Sequence, residues 1–264
     1  VDKKLSATAT SVVLIGGLVS AFLGPELATT GRHLFATDFV GSFVLLSSCF
    51  VIAFGILWFY HQTEPSTEQQ NSSARPLSII TKQPVFIVAI SSATIGYVVM
   101  SYLMTATPMS MHLIDGYSLE QTKFVIQWHV IAMFLPSLFT PFIVRWLGLT
   151  KMMLTGVLIY FVCIVFAYSG HALNNYWIAL ILLGLGWNFL FIGGTSLLPR
   201  AYTEPEKFKV QSLNDLLIFT TEAIAIISAG WFVFSYGWEF VILSVTPLLF
   251  IQFLVLVWWL TFKK

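Results

Sequence analysis

Charge is the scarce ingredient of this sequence. Only 9% of its 264 residues are Asp, Glu, Lys or Arg, while 57% are hydrophobic and the mean hydropathy is +0.85. Soluble domains run at about 45–50% apolar and roughly 25% charged. A chain of this composition carries more apolar surface than a compact domain can cover in water, which excludes a soluble enzyme and points to a membrane protein. The net charge of +1 offers no basic face for phosphates, so nucleic acid is not an expected partner. Cysteine is nearly absent as well. Cys49 and Cys163 lie far apart inside apolar runs, where they can build neither a disulfide framework nor a metal site, and both read as fillers. The five histidines are scattered, no Ser is placed with a His and an Asp, and there is no phosphate loop. No catalytic residue, metal or cofactor is therefore expected.

What is present is a series of long apolar runs. A helix needs about 20 residues to cross roughly 30 Å of hydrocarbon. Eight stretches qualify: Thr8–Thr29, Phe39–Tyr60, Val85–Pro108, Phe124–Val144, Met152–Tyr168, Tyr176–Leu198, Leu213–Phe234 and Phe240–Phe262. They show no alternation of the kind a transmembrane β-barrel requires, so the fold class is an all-α polytopic bundle. The polar stretch His61–Gln83, with its Thr, Ser, Gln, Asn and Pro, reads as a linker that cannot bury enough apolar surface to order itself. It divides the chain into residues 1–60 with two spans, the linker 61–83, and residues 84–264 with six. Val1 in place of Met fits a chain that has lost its beginning.

Basic residues are retained on the cytoplasmic side of membrane proteins. With a cytoplasmic N-terminus, 11 of the 13 Lys and Arg fall inside and only Arg32 and Lys123 outside. Both termini and the linker are then cytoplasmic. A weak internal repeat accompanies this pattern: Gly96-Tyr97 precedes Thr105 and Pro108 as Gly186-Trp187 precedes Thr195 and Pro199. Two inverted three-helix units would produce such a match.

Charge at membrane depth costs about 2.5–3.5 kcal/mol at a helix centre, so each case asks for a reason. Among the acids, only Glu26, Asp215 and Glu222 fall inside the expected spans, and no Lys or Arg falls near the middle of one. Glu222, beside Thr220 and Thr221, has no basic residue in reach on its own helix and reads as a proton carrier, with a packed neutral acid as the alternative. Asp215 lies seven residues earlier, within about 20° of the same face. With Ser212 and Asn214 it also resembles an N-terminal cap, its expected role. Glu26 follows Gly24-Pro25 and is either a cleft-lining proton site or a snorkelling side chain, with Arg32 and His33 near enough in sequence to pair with it. His129 is either a relay or a histidine satisfied by a carbonyl. Asn188, among Gly184, Gly186, Gly193 and Gly194, must face protein or a wet cavity. Trp58, Tyr60, Tyr168, Trp177, Trp238, Trp258 and Trp259 sit near span ends, as an interfacial belt does.

The six-span bundle, the linker and two preceding spans resemble the last eight of the twelve helices of a major facilitator superfamily transporter. The most specific stretches are Gln127-Trp128-His129 with Met133-Phe134-Leu135-Pro136-Ser137, Leu183-Gly184-Leu185-Gly186-Trp187-Asn188-Phe189, Gly193-Gly194-Thr195 and Gln211-Ser212-Leu213-Asn214-Asp215. They are similar to the C-terminal half of bacterial efflux-type permeases. Ser20 with Gly24-Pro25 resembles the antiporter motif, although Ala28-Thr29 stands where its Gly pair is expected. Residues 143–151 resemble the superfamily's gating loop, with Arg145 in place of the acid and Gly148 and Lys151 retained. The resemblance implies proton-coupled efflux of a small, apolar or cationic organic molecule by alternating access in a bacterial inner membrane. It also implies a cavity lined by Asn188 and, on the seventh helix of the family, by Tyr97, Ser101 and Thr105. The partners are then the lipid bilayer, the organic substrate and protons, together with the missing N-terminal helices of the same protein. The alternative is a truncated membrane fragment that does not transport.

Overall fold

The computed structural model describes residues 3–59 and 74–262, with side chains described for 16–59 and 74–261. Among these residues every regular element is helical. The chain divides into two compact units, Val1–Asn71 and Ser72–Lys264.

The first unit contains α1 (Lys3–Gly31) and α2 (Val40–Trp58). Their contact depends on Gly31, where a Cβ would come within 2.5 Å of the Ser42 backbone. The resulting approach lets the Ser42 hydroxyl donate to the Ala28 carbonyl at 2.6 Å. In the connecting turn, Arg32 Nε donates to Asp38 at 3.1 Å and His33 lies 3.5 Å from the same carboxylate.

The second unit begins earlier than the composition suggested. Residues 74–83, assigned to the linker by their polar neighbours, carry a short helix α3 (Leu77–Ile80) whose Ile80 is fully buried. The long helices follow: α4 (Pro84–Pro108), α5 (Leu119–Phe134), α6 (Thr140–Tyr168), α7 (Leu173–Leu197) and α8 (Lys207–Tyr236), then α9 (Trp238–Ser244) and α10 (Thr246–Phe262). Ser118 and Gln121 form a capping box that starts α5. Pro247 removes a backbone donor at the α9–α10 break, where one continuous span was expected.

Among the described residues, six helical stretches are long and apolar enough to cross a membrane: Val40–Trp58, Pro84–Ile114, Leu119–Tyr168, Leu173–Ala201, Glu204–Tyr236 and Trp238–Thr261. Six differs from the eight expected. Leu119–Tyr168, at 50 residues, includes two of the expected spans and would be about 75 Å long if straight, more than twice the hydrocarbon thickness. It is broken at Gly148, whose φ of 73° and ψ of 159° no helix tolerates. The expected span Thr8–Thr29 falls in α1, and its side chains before residue 16 lie outside the described residues.

At the centre of this unit α7 packs against α4, α5 and α6. Small residues on α7 permit that approach. A Cβ on Gly184 would lie 2.6 Å from the His129 carbonyl of α5, and one on Gly194 would lie 2.6 Å from the Ala89 carbonyl of α4. Several of the polar groups drawn into the core find partners across helices. Tyr160 donates to the Gly96 carbonyl at 2.8 Å, Gln252 donates to Ser92 at 2.7 Å, and the Cys163 thiol donates to the Ala179 carbonyl at 3.1 Å. Trp238, expected in an interfacial belt, is instead buried and donates to the Ala167 carbonyl at 3.3 Å. Cys163 is a buried filler, while Cys49 is exposed.

Replacing Gly184 by Val therefore overpacks the α5–α7 contact and lowers stability by about 1–3 kcal/mol. Gly55→Ala, at a site with no atom within 4 Å of the new Cβ, serves as the neutral control. Thermal unfolding in detergent compares the two, and equal midpoints would show that the close approach contributes nothing.

Candidate functional site

The polar and aromatic residues singled out on α4, α7 and α8 converge. Ser101 on α4 is buried, and its hydroxyl donates to Glu222 Oε1 on α8 at 2.9 Å. Tyr97 lies one helical turn from Ser101 and is the hub of an aromatic cluster. Its ring meets Trp187 edge-on at 5.4 Å, Phe191 at 5.2 Å and Phe219 at 6.3 Å. Trp187 stacks on Phe191 at 5.0 Å with the planes 11° apart, and Phe134 approaches Trp187 at 6.2 Å. Phe219 is exposed, and Glu222 is half-buried beside it on α8. The Trp187 indole N–H is buried and donates to nothing among the described residues.

This arrangement follows from helix geometry. Trp187 and Phe191 are four residues apart and therefore share one face of α7, as do Tyr97 and Ser101 on α4. The two members of the internal repeat, Tyr97 and Trp187, are themselves in ring contact. Chemically, the site presents a carboxylate with one hydroxyl donor, an unused indole donor and several ring edges and faces. It can hold a flat apolar surface against aromatic groups and bind a hydrogen-bond donor at the carboxylate.

The other sequence candidates lie elsewhere. Thr105 is half-buried one turn beyond Ser101 on α4. Asn188 is buried and points the other way, donating to the Met133 carbonyl at 2.7 Å and to Ser137. Its amide therefore pins α7 to the end of α5 and the 3₁₀ turn Leu135–Phe139. His129 is buried too, with Nδ1 at 2.8 Å from the Leu180 carbonyl. Because a carbonyl only accepts, Nδ1 carries the proton. Asp215 is not a cap. α8 begins at Lys207, so Ser212, Asn214 and Asp215 sit within the helix, and Thr203 with Glu206 forms the capping box upstream. Asp215 is exposed and accepts from Asn214 at 3.0 Å, at the rim of a pocket of about 190 Å³ with Tyr202 and Gln211. It lies about 10 Å along the helix from Glu222. Glu26 is exposed one residue after Pro25 in α1. Arg145 is exposed on α6, while Gly148 and Lys151 line a pocket of about 390 Å³ with Arg200 and Leu260.

The most buried ion pair escaped sequence reading. Arg75, just before α3, donates from its backbone N–H, Nε and Nη2 to Glu206 at 2.9, 2.7 and 2.7 Å. Glu206 also accepts from the Thr203 N–H at 2.8 Å, and its side chain is 1% exposed. Lys209 Nζ donates to the Arg75 carbonyl, and Gln83 donates to the Ala201 carbonyl at 3.0 Å. The hydrogen bonds it donates to Glu206 hold the Arg75 guanidinium above its ordinary pKa, against partial desolvation. The capping-box pattern Thr203-x-x-Glu206, the one local signal for this joint, went unused in the sequence reading. Its partner sits 131 residues away, beyond any local signal.

Taken together, the helices define a multi-pass membrane protein with a carboxylate at an aromatic site. Comparison with known proteins supplies the class. A 247-residue match, 34% identical, covers 92% of this chain and 62% of the riboflavin transporter RfnT of Brucella anthropi. Two uncharacterized MFS-type transporters of Bacillus subtilis also match: YddS at 27% identity over 98% of the chain and 63% of its own length, and YdeG at 28% over 82% and 54%. No family model matches the sequence. The chain belongs to the major facilitator superfamily of transporters and spans between 54% and 63% of the length of these relatives.

The Arg75 joint carries a stability prediction. Glu206→Gln leaves Arg75 without its charged partner and weakens four hydrogen bonds, whereas Arg75→Gln keeps the Thr203 bond. The glutamate variant therefore unfolds at the lower temperature. A scan in detergent that ranks the two the other way would contradict the assignment of Glu206 as the hub.

Proposed function

We propose that this chain belongs to a secondary transporter that moves a small, flat organic molecule across a bacterial inner membrane by alternating access, with Glu222 as the group that exchanges a proton. The observation that carries the proposal is the Ser101–Glu222 hydrogen bond beside the Tyr97 aromatic cluster. A carboxylate held by one hydroxyl has no charged partner among its described hydrogen bonds, so solute binding and protonation compete for the same oxygens. Ring faces next to it favour a planar solute. Riboflavin, the solute named for the Brucella relative, is flat, uncharged and rich in hydroxyl and imide donors, and it suits a site with no Lys or Arg at membrane depth. We assign the direction as outward, in exchange for protons, on the resemblance to efflux-type permeases. The membrane is crossed eight times in this reading, with both ends of the chain and the linker cytoplasmic.

Proteoliposomes carrying the transporter test the coupling. Glu222→Gln abolishes the response of riboflavin flux to an imposed pH gradient while riboflavin binding persists; pH-driven flux that survives the substitution removes Glu222 from the proton path. Phe219→Ala weakens riboflavin binding by about two- to tenfold, the range of a lost aromatic contact. Riboflavin accumulating only inward with the proton gradient would reverse the assigned direction. For topology, cysteines introduced at Lys82 and Thr261 react with an impermeant reagent from one side and a cysteine at Asp115 from the other.

A further inference from the structure

Three connections of the second unit meet at the end opposite the Arg75 joint. They are the segment after α4, which runs through the π-helical turn Met109–Ile114 to Gly116, the α6–α7 connection, and the α8–α9 junction. His171, in the middle one, joins all three. Its Nδ1 lies 2.8 Å from Asp115 Oδ2, and its Nε2 lies 2.9 Å from Glu239 Oε1. Around this pair, Tyr176 of α7 donates to Asp115 Oδ2 at 2.7 Å and shares a hydrogen bond with Ser110 at 2.7 Å. Tyr117 donates to the His171 carbonyl at 2.7 Å, and His112 Nδ1 bonds the Tyr117 carbonyl at 2.7 Å. The titratable and charged groups facing the ring are thus Asp115 from the α4–α5 connection, Tyr176 from α7 and Glu239 from α9, with Tyr117 and His112 behind them.

Both carboxylates accept hydrogen bonds and neither donates when ionised. A neutral imidazole has one N–H, whereas the protonated ring has two, so only the imidazolium makes both bonds at once. We propose that His171 is a proton-operated clasp that ties the three connections at this end of the six-helix bundle together when charged and releases one of them when neutral. Losing the proton leaves a ring lone pair facing a carboxylate oxygen, which replaces an attraction by a repulsion. The α4 and α8 helices that carry Ser101 and Glu222 both end at this clasp, so its state biases how far their ends separate. This inference does not depend on which solute is carried or on Glu222 as the coupling group.

The sign of the pH effect follows from the environment. The Glu239 hydrogen bond, and then Asp115, raise the His171 pKa above 6.5 against partial burial. The clasp therefore contributes fully below 6.5, and its contribution is lost as pH rises through the raised value. Hydrogen exchange on the full chain in lipid nanodiscs, corrected for the intrinsic pH dependence of exchange, reads this directly. Between about pH 5.5 and about pH 8.5, protection in segments 109–118, 169–173 and 236–240 falls about two- to fivefold, as expected for an exposed ion pair. The Arg75 end keeps its protection. In His171→Gln the pH dependence disappears. Glu239→Gln, which keeps the ring and removes one charge, moves the midpoint to lower pH, so the test survives if the histidine variant fails to fold. Protection that is flat with pH in the parent chain, equally pH-dependent in His171→Gln, or unshifted in midpoint in Glu239→Gln overturns the clasp.

Discussion

Hydrocarbon offers a peptide group no hydrogen-bond partner, so a chain that crosses it must satisfy each N–H and C=O from within. That single constraint accounts for the all-helical architecture, and it governs the side chains as well. Every polar residue carried to membrane depth must either find a partner on another helix or face a space where solute and water can reach it. Asn188, His129, Tyr160 and Gln252 follow the first course, and each bonds a neighbouring helix. Glu222 and Tyr97 are only half-buried.

Close packing around α7 makes this sorting possible. Because Gly184 and Gly194 lack a Cβ, the backbones of α5 and α4 come within reach, and the side chains between them interdigitate in fixed rotamers. Tyr97, Trp187 and Phe191 are held as a group by that approach, and the α8 residues Phe219 and Glu222 are set beside them.

The two ends of the bundle are tied by different chemistry. At one end Arg75 and Glu206 form a joint between permanently charged partners in the neutral range, which fastens the chain before α3 to the connection between α7 and α8. At the other end the fastening passes through a histidine, the side chain whose ordinary pKa lies nearest to neutrality.

Membrane residence and helical class were legible in the amino-acid sequence, because apolar run length and the scarcity of charge depend on composition along the chain. Membership of the superfamily was legible for the same reason, in short glycine-rich stretches that keep their spacing. Helix starts were not: Ser212, Asn214 and Asp215 have the chemistry of a cap, yet the capping box at Thr203 and Glu206 lies upstream. Side-chain partners were decided only by tertiary structure. Ser101 and Glu222 are 121 residues apart and His171 and Glu239 are 68 apart, so their meeting depends on how helices pack and which way connections turn. Periodicity specifies which face a residue occupies on its own helix, and only packing specifies what that face meets.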